Sequence, residues 1–251
     1  MACRFAATKI LLRRTGTRGK HCRVLPNFQL LQAIKSNCLS DFDDAVSRGA
    51  ASSACDLDGR SALEVAFRHS RPDLARRLIQ DGADPNPPVG RRGNHLIHLA
   101  AQTGDIGFLT VILEAGVNIN SIGNCRRTPL HITTSNGFEY LSRTLLENTA
   151  NPDATDDQGN VPLHFVANKG NATMARLLIS FNANASVTNN QLYTPMHNAV
   201  ANGHIDVAKL LLNREQAIDS KFKSSGIVRR LLRVAELHNQ TSTVSALCDF
   251  E

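Results

Sequence analysis

The sequence predicts an all-α solenoid of stacked helix-turn-helix units. The first indication is a four-residue phrase that returns every 33 residues with little change. It is Thr-Pro-Leu-His at residues 128–131, Val-Pro-Leu-His at 161–164 and Thr-Pro-Met-His at 194–197. A unit of this length cannot bury an apolar face by itself, so it must stack on its neighbours. The period therefore predicts a repeat array with one long, modular surface.

Other columns of the sequence keep the same phase. Glycines recur 33 residues apart, at Gly104, Gly137, Gly170 and Gly203. Apolar pairs do the same, at residues 112–113, 145–146, 178–179 and 211–212. A third column changes its residue type but stays apolar, as burial requires, at Leu74, Phe108, Leu141, Met174 and Val207. Residues 95–98 and 61–64 continue the phrase upstream, so five copies are visible.

Each copy predicts two helices. Pro129, Pro162 and Pro195 suit the first turn of a helix, where no amide needs a partner, and the hydroxyls of Thr128 and Thr194 can cap that helix. The glycine column predicts that the first helix ends in a left-handed residue. The apolar pair then packs a returning second helix on its neighbours.

These columns resemble the ankyrin repeat, and the resemblance covers residues 56–221. It implies that the phrase opens the first of two antiparallel helices, and that segments such as residues 116–127 form short hairpin fingers between units. Arg126 and Leu192 occupy the position where ankyrin fingers carry glycine, and His95 and Val161 replace the capping threonine. These departures predict distorted fingers. Three prolines between residues 84 and 93 predict an irregular joint there.

Degenerate units are expected at both ends, because terminal repeats need polar outer faces. Helices over residues 28–35 and 39–47 predict an amino-terminal cap, and helices over 227–238 and 243–247 predict a carboxy-terminal cap. The expected organisation is a tail at 1–26 followed by a single domain at 27–251. Within that domain we predict a cap at 27–55, repeats at 56–89, 90–122, 123–155, 156–188 and 189–221, and a cap at 222–251.

The net charge of +6 comes from the amino-terminal segment. Residues 1–40 hold eight Lys or Arg and no acidic residue, which leaves 20 basic and 22 acidic residues elsewhere. A uniformly basic surface for nucleic acid is therefore not expected. The tail itself has three interpretations: a solvated disordered extension, a mitochondrial presequence, or a nuclear-import or acidic-partner patch.

The compartment expected from the sequence is cytoplasmic or nuclear, with the mitochondrion as the alternative. Six scattered cysteines without a Cys-x-x-Cys pair indicate a reduced environment. No apolar run approaches the length of a membrane-spanning helix, so membrane insertion is not expected.

Catalysis, cofactors and metal binding are not expected. The sequence contains no phosphate-binding loop, nucleophile elbow, His-Glu-x-x-His helix or dinucleotide fingerprint. Histidines recur at the repeat spacing and so belong to different units, at His98, His131, His164 and His197. In ankyrin repeats this histidine holds the loop between units, which leaves little support for zinc. Acidic residues such as Glu139 and Glu147 suit solubility better than acid-base chemistry.

The resemblance implies a partner surface on the finger tips and on the concave face of the first helices, just before the column glycine. The residues at those helix ends are mostly uncharged and polar, which suits hydrogen bonding to an extended peptide: Gln102, Thr103, Ser135, Asn136, Asn168, Lys169, Ala201 and Asn202. The fingers add a basic cluster and then two acids, which predict a partner acidic toward one end: Arg91, Arg92, Arg126, Arg127, Asp156 and Asp157. Asn86 and Asn120 resemble asparagines that are hydroxylated in this family.

The function expected from these features is a non-catalytic scaffold or adaptor that binds another protein, as a monomer or in a hetero-complex. One alternative is a substrate-recognition or masking subunit of a regulatory complex, which would need a recruitment helix in residues 222–251. Another is an ankyrin protein of mitochondria. The sequence names no partner, because a fold does not determine function.

Overall fold

The structure is a computed structural model that describes residues 21–86, 89, 93–218, 226–238 and 240–248. The chain divides between Pro85 and Asn86 into two compact units. Both units are helical, and no strand occurs in the described ranges. None of the helices within these ranges combines the length and apolarity needed to cross a bilayer.

The first unit contains two helix pairs. Its helices are α1 (His21–Ser36), α2 (Leu39–Ser47), α3 (Ala62–Arg68) and α4 (Pro72–Gln80). Helix α1 packs on α2 and α3, and α3 packs on α4. Their apolar faces form a buried core of Leu30, Ile34, Phe42, Leu63, Leu74 and Leu78. Helix α2 has the predicted bounds, whereas α1 begins before the predicted start at Phe28.

The second unit contains five helix pairs. The first helices of these pairs are α5 (Leu96–Thr103), α7 (Pro129–Asn136), α9 (Pro162–Lys169), α11 (Pro195–Ala201) and α13 (Gly226–Leu237). The second helices are α6 (Ile106–Glu114), α8 (Glu139–Glu147), α10 (Ala172–Ser180), α12 (Ile205–Ile218) and α14 (Thr241–Cys248). The first helices pack on one another in chain order, and α8, α10, α12 and α14 do the same in the second layer. This arrangement is the predicted stack of helix pairs.

The columns of the sequence have the predicted structural roles. Gly104, Gly137 and Gly170 end the first helices with φ of 76°, 77° and 71°, in the left-handed region that glycine tolerates best. The apolar column lies in the core, with every member at most 6% exposed: Leu74, Phe108, Leu141, Met174 and Val207. The 33-residue period therefore corresponds to equivalent burial in successive pairs.

The fingers keep a left-handed residue at one fixed position. Glycine occupies it in three of them, at Gly59, Gly93 and Gly159, with φ of 78°, 69° and 74°. Arg126 and Leu192 occupy it in the other two, with φ of 55° and 62°. The predicted distortion does not occur at Leu192, whereas in the finger of Arg126 the preceding Cys125 is also left-handed, with φ of 56°. The backbone conformation is kept, and the two non-glycine residues carry the steric cost of a left-handed Cβ.

Replacing Leu192 by glycine is expected to raise the free energy of unfolding by about 0.5–1 kcal/mol, because a left-handed L-residue costs more than the extra chain entropy of glycine. The Leu192 side chain is 77% exposed, so little packing is lost. Urea unfolding monitored by circular dichroism measures the change. Leu192→Ala is the matched control, since it removes the side chain but keeps the Cβ, and it should give no gain. Equal gains from both variants would contradict the steric explanation.

The two first helices without a capping threonine keep the hydrogen bond of the histidine column. The backbone N–H of His95 donates to Nδ1 of His98 at 3.1 Å, and that of Val161 donates to Nδ1 of His164 at 3.1 Å. The predicted hydroxyl cap exists at Thr194, whose Oγ1 accepts from the backbone N–H of His197 at 3.5 Å. At Thr128 the hydroxyl instead lies 2.9 Å from Nδ1 of His131. A histidine Nδ1 therefore accepts the backbone N–H that precedes α5, α7, α9 and α11, whether or not a threonine stands there.

The predicted carboxy-terminal cap is a helix pair. Helix α13 packs on α11, and α14 packs on α12. Leu231 and Ala235 of α13 are fully buried, whereas Leu237 is 82% exposed. Leu237 lies at the last turn of α13 and takes no part in the packing of the cap. Of the tail predicted at residues 1–26, residues 1–20 lie outside the described residues.

Candidate interaction surface

The histidine column joins successive helix pairs of the second unit. His131 is fully buried, and its Nδ1 accepts the backbone N–H of Thr128 at 3.2 Å. Because Nδ1 is an acceptor, the proton lies on Nε2, which donates to the carbonyl oxygen of Asn160 in the next finger at 3.0 Å. His164 repeats this link to the carbonyl oxygen of Tyr193 at 2.9 Å. Each histidine thus fixes the finger that follows it.

His98 makes the same link twice. Its Nε2 lies 3.0 Å from the carbonyl oxygen of Ser121 and 3.1 Å from that of Arg127. Burial lowers the pKa of His98 to about 4, because the charged imidazolium loses its hydration. Burial also lowers the pKa of His131 and that of His164. These rings are therefore neutral structural groups. No cluster of three metal-ligating side chains occurs in the described part of the chain.

The polar residues predicted at the ends of the first helices lie on the neighbouring helices α5, α7 and α9, and at Asn202 directly after α11. We call them the polar row: Gln102, Thr103, Ser135, Asn136, Asn168, Lys169 and Asn202. All are exposed except Ser135, which is partly exposed. Asn136 Nδ2 donates to the carbonyl oxygen of Gln102 at 3.4 Å, and Asn202 Nδ2 donates to Oδ1 of Asn168 at 3.1 Å. These bonds join residues of the polar row that belong to neighbouring repeats.

An apolar column that the sequence analysis missed runs beside the polar row. Leu99, Ile132 and Phe165 stand three residues before Gln102, Ser135 and Asn168 and therefore on the same helix faces. Each is partly exposed, whereas every member of the column that begins at Leu74 is buried. Their 33-residue spacing was visible in the sequence, but periodic apolar residues had been assigned to the core. Together the row and the column present hydrogen-bonding and apolar groups along one surface.

Adjacent fingers are tied to each other by backbone hydrogen bonds. The N–H of Asp157 donates to the carbonyl oxygen of Cys125 at 3.1 Å, and that of Asn190 donates to the carbonyl oxygen of Gln158 at 3.0 Å. Arg126 and Asp157 are exposed on neighbouring fingers, as expected. Arg91 and Arg92, the other half of the predicted basic cluster, lie outside the described residues.

Asp156 does not belong to the exposed finger surface. It is 5% exposed, and its Oδ1 accepts the backbone N–H groups of Gln158 and Asn160 at 2.9 and 2.8 Å. The prediction that it meets a partner was wrong, because the carboxylate is used to close its own finger turn.

The Arg127 side chain packs against the protein rather than extending into solvent. Its guanidinium lies over the ring of Phe165, 4.8 Å from the centroid, and its Nε is 3.8 Å from Oδ2 of Asp156. The side chain is still 42% exposed. Arg127 therefore connects Phe165 of the apolar column with Asp156 of the following finger. Arg126 is the more exposed of the two arginines.

Two family models match the chain, and both describe ankyrin repeats. One matches residues 63–113 and the other residues 141–222, so together they cover segments of both units. The chain belongs to the ankyrin repeat family. The 33-residue columns, the helix pairs and the histidine links are thus features of ankyrin units.

Individual similarities cover single stretches of the ankyrin array. Alpha-latrotoxin-Lg1a of Latrodectus geometricus is 29% identical over 101 residues, which is 39% of this chain and 7% of the toxin. Ankyrin repeat and SOCS box protein 16 of Homo sapiens is 31% identical over 84 residues, which is 33% of this chain and 18% of that protein. The chain therefore spans less than a fifth of the length of these curated relatives.

A solved structure shows the same fold. The ankyrin repeat domain of Bcl-3, from the IkappaB protein family, superimposes with a TM-score of 0.67 over 74% of this chain and 85% of that domain, at 21% identity. The ankyrin fold is an interaction fold, so this chain carries a protein-protein interaction module.

The ankyrin asparagine of the second repeat has a structural role. Oδ1 of Asn120 accepts the backbone N–H of Asn151 in the following unit at 2.8 Å. Asp153 makes the equivalent bond to the N–H of Asn184 at 2.8 Å. These side chains link consecutive loops of the array.

Proposed function

We propose that the chain is a non-catalytic scaffold or adaptor that binds an extended segment of another protein along the polar row. The observation that carries the proposal is the alignment of the row beside the half-exposed column of Leu99, Ile132 and Phe165 on neighbouring helices. An extended segment alternates backbone amides with side chains, so it can meet both groups at once.

The polar character of the row supports a peptide partner rather than nucleic acid. Lys169 is the single cation among its seven members, and phosphate recognition needs several. Amide side chains such as those of Gln102 and Asn136 can both donate to and accept from a peptide backbone. Most interface area of this kind is polar at the rim and apolar at the centre, which matches the row and its neighbouring column.

The finger charges give the bound segment a direction. Arg126 is an exposed cation, and Asp157 is an exposed anion on the next finger. A segment with an acidic residue near Arg126 and a basic residue near Asp157 would bind in one register and be disfavoured in the reverse register. This keeps the expectation of a partner acidic toward one end, with Asp156 removed from it.

Replacing both Asn136 and Asn168 by arginine is expected to weaken partner binding at least about tenfold, because two bulky charges block the centre of the row. Affinity purification with the full chain as bait, followed by quantitative mass spectrometry, measures the loss. A photo-crosslinking residue in place of Lys169 then identifies which captured protein touches the row.

Asn148→Arg combined with Thr173→Arg is the matched control, since both residues are exposed in the second layer, Asn148 directly after α8 and Thr173 on α10. The control should retain the captured partner, and both double variants should unfold at nearly the same temperature. If the row variant captures the same protein as the unaltered chain, and that protein does not crosslink to position 169, the row is not the binding surface.

The alternative of a substrate-recognition subunit has less support. It needs a recruitment helix in residues 222–251, but Leu231 and Ala235 of that segment are buried against the array. A masking subunit would use the same row, so capture of a transcription factor rather than a complex would distinguish it. The mitochondrial alternative is decided by sequencing the amino terminus of the mature protein.

A further inference from the structure

The outer layer of the second unit carries basic side chains at the repeat spacing. Arg143 on α8, Arg176 on α10 and Lys209 on α12 stand 33 residues apart, and all three are exposed. Because these helices pack side by side, their equivalent positions form a line with a spacing of about 10 Å. Glu139 and Glu147 flank Arg143 one turn away on either side, so the positive charge is concentrated toward Arg176 and Lys209.

A groove lies between α10 and α12, beside Arg176 and Lys209. Its volume is about 810 Å³, and Arg176, Lys209 and Arg214 line it together with one acidic residue, Asp206. In the described part of the chain, no ion pair neutralises any of the three cations. Helix α10 itself contains no acidic residue. Among the described lining residues the groove therefore carries three cations and one carboxylate.

The remaining lining offers apolar and amide groups. Ile179 and Leu210 are both partly exposed, and the amides of Asn182 and Asn213 lie beside them. An apolar floor with a charged border selects a ligand that carries both an apolar side chain and negative charges.

We propose that this groove binds an acidic peptide segment with an apolar residue among its carboxylates. In an extended peptide, residues three apart are separated by about 10 Å, so an acidic residue at every third position matches the line of cations. The apolar residue contacts Ile179 and Leu210, and the two asparagine amides bond the peptide backbone.

A nucleic acid strand fits this groove less well. Single strands bind through base stacking on aromatic side chains, and none of the lining residues is aromatic. The carboxylate of Asp206 can accept a peptide N–H, a donor that the sugar-phosphate backbone of a nucleic acid lacks. The groove belongs to the second helices and the polar row to the first, so this is a second binding surface, separate from the one proposed above.

Fluorescence anisotropy tests the proposal on the full chain. The probe is a labelled peptide of about twelve residues with aspartate at every third position and one central leucine, at about 50 mM salt to limit screening. We expect saturable binding that weakens as salt is added. Arg176→Glu combined with Lys209→Glu should weaken it at least about tenfold, because two attractions become repulsions.

Lys35→Glu combined with Arg233→Glu is the matched control, since it changes the net charge equally at exposed residues outside the groove. It should alter binding by less than about twofold. Equal binding to both double variants would overturn the proposal, as would equal binding of a peptide with lysine in place of aspartate. A thymidine oligonucleotide of the same length that binds in the groove more tightly than the peptide would also overturn it. Loss of polar-row binding leaves this result unaffected, so the two proposals fail separately.

Discussion

Replacing His131 by alanine is expected to lower the free energy of unfolding by about 3–4 kcal/mol, the largest effect of any single polar substitution considered. The ring is fully buried and bonds the backbone N–H of Thr128 and the carbonyl oxygen of Asn160. Its removal leaves the buried N–H of Thr128 without this acceptor and takes one of two donors from the carbonyl oxygen of Asn160, which also accepts the N–H of Asp156. It also creates a cavity beside Phe165, whose ring meets His131 edge-on at 5.7 Å.

Urea unfolding of the purified chain measures this loss, with His238→Ala as the matched control. His238 is exposed at the end of α13, so its removal should change the free energy by less than about 0.5 kcal/mol. Hydrogen exchange adds a local test, because the amides of the finger around Asn160 should lose protection in the His131 variant. A change below about 1 kcal/mol at His131 would mean that the link between units contributes little.

Acidification from pH 7 to pH 5 is expected to destabilise the second unit by about 2 kcal/mol through His98 alone. The pKa of this residue is lowered by burial from 6.5 to about 4 in the folded chain. Between these two values the unfolded chain binds the proton and the folded chain does not. Stability is therefore complete above pH 6.5 and falls as the pH approaches 4.

His131 and His164 act in the same direction, because burial lowers the pKa of each. Urea unfolding at pH 7, 6 and 5 gives the free energies, and this window lies above the ordinary pKa range of carboxyl groups. Nuclear magnetic resonance titration of the imidazole protons identifies the rings that stay neutral. An unfolding free energy that is constant from pH 7 to pH 5 would contradict the assignment of these histidines as neutral links.

Features that repeat were predictable from the sequence because burial repeats with them. The period located Met174 in the core and Gly104 at a left-handed helix end, and both are found there. The position occupied by Leu192 was also located correctly, but its conformation was not. A residue type alone does not report whether neighbouring backbone bonds will hold an unfavourable φ.

Features that depend on one local contact could not be predicted. Asp156 resembles a solvated finger residue in the sequence, yet two backbone N–H groups of its own turn bury its carboxylate. The early start of α1 at His21 follows no period, since the preceding segment is basic without a repeated apolar face. The half-exposed column of Leu99, Ile132 and Phe165 was periodic, but the period cannot distinguish a core face from a surface in contact with a partner.

The hydrogen bond from each column histidine to the next finger affects how an ankyrin array can evolve. The acceptor of each Nε2–H hydrogen bond is a main-chain carbonyl oxygen, that of Arg127, Asn160 or Tyr193. The side chain of the accepting residue takes no part in this bond. Mutations in the fingers can therefore alter what the molecule recognises while the joint between units stays the same. The side chains of the finger residues determine partner binding, whereas their main-chain carbonyl oxygens hold successive repeats together. Partner specificity can therefore diversify without loss of the link between repeats.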